Sequence, residues 1–283
     1  MANVSSFIAA ALYVYTARFE KMTQAIAPDL ARIPAGEFLM GAADGEDDER
    51  PVHRVHLSDF LIGRAPVTQD EYARFIAATG YAAPSVRALP LIVVDNRDAE
   101  FRELAARYAW SDSQPPPGHG DHPVVLVTYE DAVAYCSWLS AELGTPFRLP
   151  TEAEWEKAAR GGVDGRRYPW GDEFDPARCN YLADPASKRQ RGTRPARSFP
   201  PNGYGLFDVV GNTWEWVGDW YARDFYSLGD MHDPLGPDTG TFRIVRGGAW
   251  VNDDVNMLRC AYRHRVPPDT YAYSVGFRVA TRP

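Results

Sequence analysis

Cysteine is scarce in this chain: Cys136, Cys179 and Cys260 are its only three among 283 residues. They form no CxxC pair, which excludes a zinc ribbon, and they are too few for a disulfide scaffold. An odd number of thiols fits a reducing compartment, so a cytoplasmic protein is expected. Long apolar runs are missing too. FIAAALYVY, residues 7–15, spans nine residues, whereas a bilayer crossing needs about 20. No Lys or Arg precedes it, so it lacks the basic start of a signal peptide. It reads as an amphipathic helix, or as an extension upstream of an alternative start at Met22. Positive charge is in deficit, with 30 basic against 38 acidic residues, a net charge of −8 and a pI near 5.3. That argues against nucleic acid and against an anionic membrane as partners. Internal repeats and long low-complexity tracts are absent.

Aromatic residues are plentiful: 8 Trp, 15 Tyr and 13 Phe exclude a disordered chain. With 23 Gly and 23 Pro, much of the chain must be loop and turn. ARIPAGEFLMG reads as a short strand with a Pro-Ala-Gly turn. GAADGEDDERP is an acidic loop, and VHRVHLSDFLIGRAPV alternates like strand. SDSQPPPGHGDHP is a loop, because consecutive prolines continue neither helix nor ladder. Three helices start with the same device. Thr68 precedes Glu71, Thr128 precedes Asp131 and Thr151 precedes Glu154, the spacing of a capping box. Each runs to a glycine, Gly80, Gly144 and Gly161, suited to a left-handed C-cap. Tyr72, Phe75 and Ile76, and Ala132, Cys136, Leu139 and Leu143, keep helical spacing and mark core faces. From Gly165 onward no long period survives. That half should be held by side-chain hydrogen bonds, aromatic packing or bound ions rather than by long ladders.

Five stretches in order then carry a resemblance. They are IPAGEFLMG, PVTQDEYARF, HPVVLVTYEDAVAYCSWL with FRLPTEAEWEKAARGG, PPNGYGLFDVVGNTWEWVGDW, and RIVRGGAW with RCAYRHR and VGFRVA. Together they resemble the formylglycine-generating enzyme family, also called the sulfatase-modifying-factor family. The resemblance implies an α+β, loop-rich, C-type-lectin-like fold over residues 31–283, preceded by an N-terminal extension over 1–30. In the aldehyde-forming members two cysteines hold copper, a soft ion that thiolates suit. Here the motif reads RGGAWVNDDVNMLRCAYR. Ala249 stands for the family serine and Asn252 for the first copper cysteine. The second falls within Asp254 to Met257, where there is no cysteine. Copper is therefore not expected. In secreted relatives the positions of Cys136 and Val279 are bridged, as are those of Cys260 and Ala159. Neither bridge can form here.

The resemblance also implies calcium. Asp208 and Glu215 would supply carboxylates, with carbonyls of Gly211 and Thr213 between them; hard oxygen donors suit that ion. The alternative is a Trp-anchored turn with Glu215 on an arginine. A second calcium site would use Asn180 and the carbonyl of Tyr181, but its acidic partner is replaced by the basic loop SKRQRGTR. His119, Asp121 and His122 in GHGDHP could ligate zinc or iron, although HPV is also a structural piece of the family. His53 and His56 lie three apart on a strand and should face opposite ways.

The segment Ala249 to Ser274 carries Trp250, Tyr262, Tyr271 and Tyr273 among Asn252, Asp253, Asp254, Asn256 and His264. Large rigid aromatics with short hydrogen-bonding groups suit an adaptable binding surface. The variable proteins of diversity-generating retroelements, similar in fold, diversify this segment. Arg246, Arg263 and Arg278 read as buried ion-pair partners that brace the loops. The expectation is a calcium-stabilised protein binding a peptide, protein or small polar ligand through its C-terminal loops, without aldehyde-forming activity. The alternative is a divergent oxygen- or metal-dependent oxidoreductase acting on a peptide or small-molecule precursor, with His264, Asp253 or Asp254 as acid or base.

Overall fold

The computed structural model describes residues 27–86, 98–182 and 192–283. The expected N-terminal extension therefore lies, up to residue 26, outside the described residues, as does most of the basic loop SKRQRGTR. Among the described residues, eleven short strands form three small sheets, and four helices accompany them. The first sheet joins β1 (Leu30–Ile33), β4 (Phe60–Gly63), β11 (Ala280–Thr281) and β5 (Phe147–Arg148), in that order. It ties the start of the fold to its end. The second holds β2 (Gly36–Met40), β3 (His53–Leu57) and β7 (Met231–His232). The strand expected after the Pro-Ala-Gly turn is β2, and a second strand, β1, precedes the turn in a different sheet. His53 is buried and His56 half-buried on β3, as period-two alternation requires.

All three expected helices form. They are α1 (Gln69–Thr79), α3 (Tyr129–Leu143) and α4 (Glu152–Ala159), and each starts with a complete capping box. One such cap contributes about 1 kcal/mol. Gly80 and Gly144 close α1 and α3 in the left-handed region. The third helix ends one residue earlier than Gly161 implied. Arg160 caps it in helical geometry with its guanidinium on Glu156, and Gly161 follows in the left-handed region at φ 65°. A further helix, α2 (Asp98–Ala106), has no such capping pattern and was not foreseen.

The half after Gly165 does contain a sheet, contrary to its broken sequence pattern. Strands β10 (Val275–Phe277), β6 (Trp214–Trp220), β8 (Arg243–Arg246) and β9 (His264–Val266) pair in that order. The paired runs are short, and β6 is irregular between Trp216 and Trp220. Two large apolar clusters flank this sheet. One packs α1 and α3 on Trp216, Phe277 and Val279. The other packs α4 on β1 to β4 and Ile244. Cys136 shares an apolar cluster with Val279, and Cys260 one with Ala159.

All three cysteines are buried. Burial pushes the Cys136 and Cys260 thiols up to about 12, far from the thiolate form that reacts. Native protein is therefore expected to resist Ellman's reagent and to react fully only on unfolding. Rapid labelling of any thiol in the native state would contradict this burial. Among the described residues, no helix is long and apolar enough to cross a membrane.

Candidate ligand-binding site

The C-terminal loops rest on a buried lattice of arginines and glutamates. Arg246 on β8 donates to Glu152 at 2.8 Å and to Glu156 at 2.7 Å, both on α4. Arg263 grips Glu152 at 2.8 and 3.0 Å, and Arg160 holds Glu156 at 2.6 Å. Arg278 makes two 2.6 Å bonds to Glu215, which also accepts from the Trp155 indole at 2.7 Å. Burial alone would disfavour the Arg246 cation, but the two carboxylates outweigh it and its pKa rises. The expectation that Arg246, Arg263 and Arg278 form buried ion pairs agrees with these distances.

The expected ligand residues divide into three groups. Trp250 and Tyr271 are core residues, packed with Tyr108, Val125 and Leu126. Their burial corrects the reading of both as exposed contacts: large aromatic area is better hidden from water than shown to it. Tyr273 lies half-buried against Trp250 and Tyr108, at ring distances of 5.5 and 6.5 Å. A second group shapes the loop itself. Asn252 accepts from the Ala249 amide at 2.8 Å, and its amide lies 3.2 Å from the Met257 sulfur. Asp254 caps the 3-10 turn Val255–Leu258, and Asn256 bonds Asp254 and Arg167. Asp253 is exposed beside them.

Tyr262 and His264 open onto a cleft. Its volume is about 630 Å³. Glu46, Asp47 and Asp48 from the acidic loop form one wall, and Arg223, Arg263 and Arg265 the other. Tyr221 lies between them, donating to Asp48 at 2.7 Å. His264 stacks on Trp214 at 5.0 Å, with Tyr262 at 6.0 Å from the same indole. Burial, then the neighbouring Arg265, lowers the His264 pKa. Glu46 to Asp48, Tyr221, Arg223 and Arg265 were not foreseen as site residues. The acidic run was visible as a loop, but nothing in the sequence places it against residues 170 positions away.

The metal candidates fare differently. Asp208 is buried with its backbone in the left-handed region at φ 51°, and its Oδ1 has no partner. Burial pushes its carboxyl up to about 6. The Thr213 hydroxyl is likewise buried without a partner. A Cβ at Gly211 would meet the Asn180 carbonyl at 2.6 Å, so glycine is needed for that close approach. These orphaned hard oxygens fit calcium. Glu215 fits less well, since Arg278 and Trp155 already engage both its oxygens. The Asn180 amide joins Gly192 and Asn212 at 3.0 and 3.1 Å, and Tyr181 packs on Phe174. These contacts use the Asn180 Nδ2 and the Tyr181 ring rather than the oxygens expected at the second calcium site, most of whose partner loop lies outside the described residues. His119 and His122 lie with ring centroids 4.6 Å apart. Among the described residues, no three His, Cys, Asp or Glu side chains cluster to hold a metal ion.

Comparison with known proteins fits this architecture. The sulfatase-modifying factor enzyme 1-like domain model matches residues 15–283. A formylglycine-generating enzyme of Thermomonospora curvata is 38% identical, the match covering 92% of this chain and 95% of that one. Among solved structures, PvdO from Pseudomonas aeruginosa aligns with a TM-score of 0.74 at 28% identity, over 91% and 95% of the two chains. Treponema denticola variable protein 1 aligns with a TM-score of 0.70 at 26% identity, over 90% and 95%. The loop-rich α+β fold, lectin-like in kind, and the near full-length sequence match lead to one conclusion: this chain belongs to the sulfatase-modifying factor, or formylglycine-generating enzyme, family.

Proposed function

We propose that this family member is a binding protein without aldehyde-forming activity, and that its ligand is a peptide, protein or small polar molecule. The observation that carries this reading is the fate of the position where relatives place the first copper cysteine. Asn252 is there, locked to the Ala249 amide, while the polar cleft beside Tyr262 and His264 stays open. The three thiols are buried elsewhere. The likeness to a variable protein from Treponema denticola supports a binding role. Peptides selected from a random display library on the native chain should lose binding to Tyr262→Ala and to Arg265→Glu. Selected peptides indifferent to both changes would move the ligand away from the cleft. Copper-supplemented assays on a cysteine-containing sulfatase peptide should yield no aldehyde, and turnover there would reverse the proposal.

Calcium is part of the same proposal. Asp208 would hold it through Oδ1, helped by the Gly211 and Thr213 oxygens, with Glu215 as a partly engaged neighbour. A bound ion would stiffen the turn between Asp208 and Trp214. Saturating calcium, at 100 to 1,000 times its Kd, should stabilise the fold by about 3–4 kcal/mol. Thermal unfolding with calcium and with a chelator measures this. Asp208→Ala should abolish the response, and equal midpoints in the two conditions would remove calcium from the account.

A further inference from the structure

The buried glutamates Glu49, Glu152, Glu154, Glu156 and Glu215 each form an ion pair with at least one arginine. Asp219 on β6 does not. It is 3% exposed, its Oδ2 accepts from the Glu152 amide at 2.7 Å, and among the described residues it belongs to no ion pair. The Arg243 guanidinium nearby is clamped between the rings of Tyr129 and Trp220, at 4.0 and 3.6 Å, and donates to the Gly218 carbonyl instead. The irregularity in β6 takes Gly218 and Asp219 out of the ladder, as bulges do where a side chain is re-aimed.

Asp219 lines a cavity of about 310 Å³ between α3, β5 and β6. Val133, Cys136, Phe147 and Leu149 give it apolar walls, and Leu235, 71% exposed, stands at its rim. Ligand pockets commonly measure roughly 300–1,000 Å³ and join apolar walls to a few polar groups. An unpaired buried carboxyl in an apolar cavity lacks one thing, a cation with an apolar body. We propose that this cavity is a second binding site, separate from the polar cleft, for a small amphiphilic amine or amidinium with Asp219 as its counter-ion.

The electrostatics agree with the geometry. Burial, then Glu152, raises the Asp219 carboxyl to about 8. The charged and titratable groups facing it are Glu152 and Glu154 from α4, Arg148 from β5, Tyr129 from α3, Arg243 from β8 and Arg263 before β9. Arg148 is held by Glu154 at 2.6 Å and Arg263 by Glu152. Neither is free to neutralise Asp219. An arriving ammonium takes the place of the proton, so binding releases one proton at neutral pH and tightens as pH rises toward 8.

Calorimetric titration of the full chain with benzylamine, set against benzyl alcohol, tests the site. The amine should bind roughly tenfold more tightly than the alcohol, one charge-assisted hydrogen bond against a neutral one. Its heat should vary with the buffer's ionisation heat as release of a proton requires. Asp219→Asn still accepts from the Glu152 amide and should lose the preference for the amine. Ser137→Trp, on the exposed rim of α3, should block both probes without disturbing the core. Equal affinities, no binding of either probe, or an amine preference that survives in Asp219→Asn would each overturn the assignment. Binding undiminished in Ser137→Trp would place the amine elsewhere and overturn it too.

Discussion

Arg246→Ala is expected to cost about 3–5 kcal/mol of folding stability, the scale for removing one partner of a buried ion pair. The guanidinium has no exposed surface, and it spans Glu152, Glu156 and the Cys260 carbonyl. Its loss leaves two carboxylates in the interior with fewer partners. Glu156 shows what is at stake. Burial alone would raise its pKa, yet Arg160 and Arg246 hold it below the usual carboxylate value. Linkage then gives the sign. A depressed folded pKa contributes stability above the unfolded pKa, and that contribution fades as pH falls through the folded one. The penalty of Arg246→Ala should therefore shrink in acid, where the stranded carboxylates take protons. Arg246→Lys keeps the charge but loses the fork, and should fall between wild type and alanine. Glu152 is shared with Arg263, so Arg246→Ala and Arg263→Ala should not add. Urea unfolding of the singles and the double measures all of this. A loss below about 1 kcal/mol for Arg246→Ala would assign the lattice the weight of surface pairs.

That lattice also marks where the sequence stops being legible. Helices α1, α3 and α4 could be read because their signals are local: a threonine, an acid three residues later and a helical stripe. Helix α2 lacks the threonine box and a closing glycine, so the same signals missed it. The arginines could be recognised as braces, but the partners of Arg246 and Arg263 sit on α4, 90 to 111 residues earlier, and that of Arg278 sits on β6, 63 residues earlier. Only the folded chain brings them together. The cleft was illegible for the same reason. Its acidic wall comes from residues 46–48 and its basic wall from Arg223 and residues 263–265. The one local clue, a loop rich in Tyr, Asn and Asp, pointed to the right region and mixed two kinds of residue. Composition alone cannot separate an aromatic that faces solvent from one that carries the loop.

Trp250→Ala makes that separation measurable. The indole is 2% exposed, packs with Tyr271, Val125 and Leu126, and approaches the Tyr273 carbonyl at 3.4 Å through its Nε1. Replacing it opens a large cavity under the loop, and buried Trp→Ala changes cost about 3–5 kcal/mol. Tyr271→Ala should behave alike, since that ring is wholly buried. Tyr262→Ala should differ. Its ring is half-buried at the cleft, with Trp214 at 6.0 Å and the Arg259 guanidinium at 5.8 Å. Its loss should cost less than half as much stability and remove binding of a cleft ligand. The readout is a pair of numbers for each variant: an unfolding free energy, and an affinity for a selected peptide measured where the variant is still folded. Trp250→Ala and Tyr271→Ala should fall on the stability axis, with affinity held once folding is restored by temperature or osmolyte. Tyr262→Ala should fall on the affinity axis. If Trp250→Ala left stability intact and abolished binding, the indole would have to leave its cluster to meet the ligand. The loop would then close around its ligand rather than present a fixed surface.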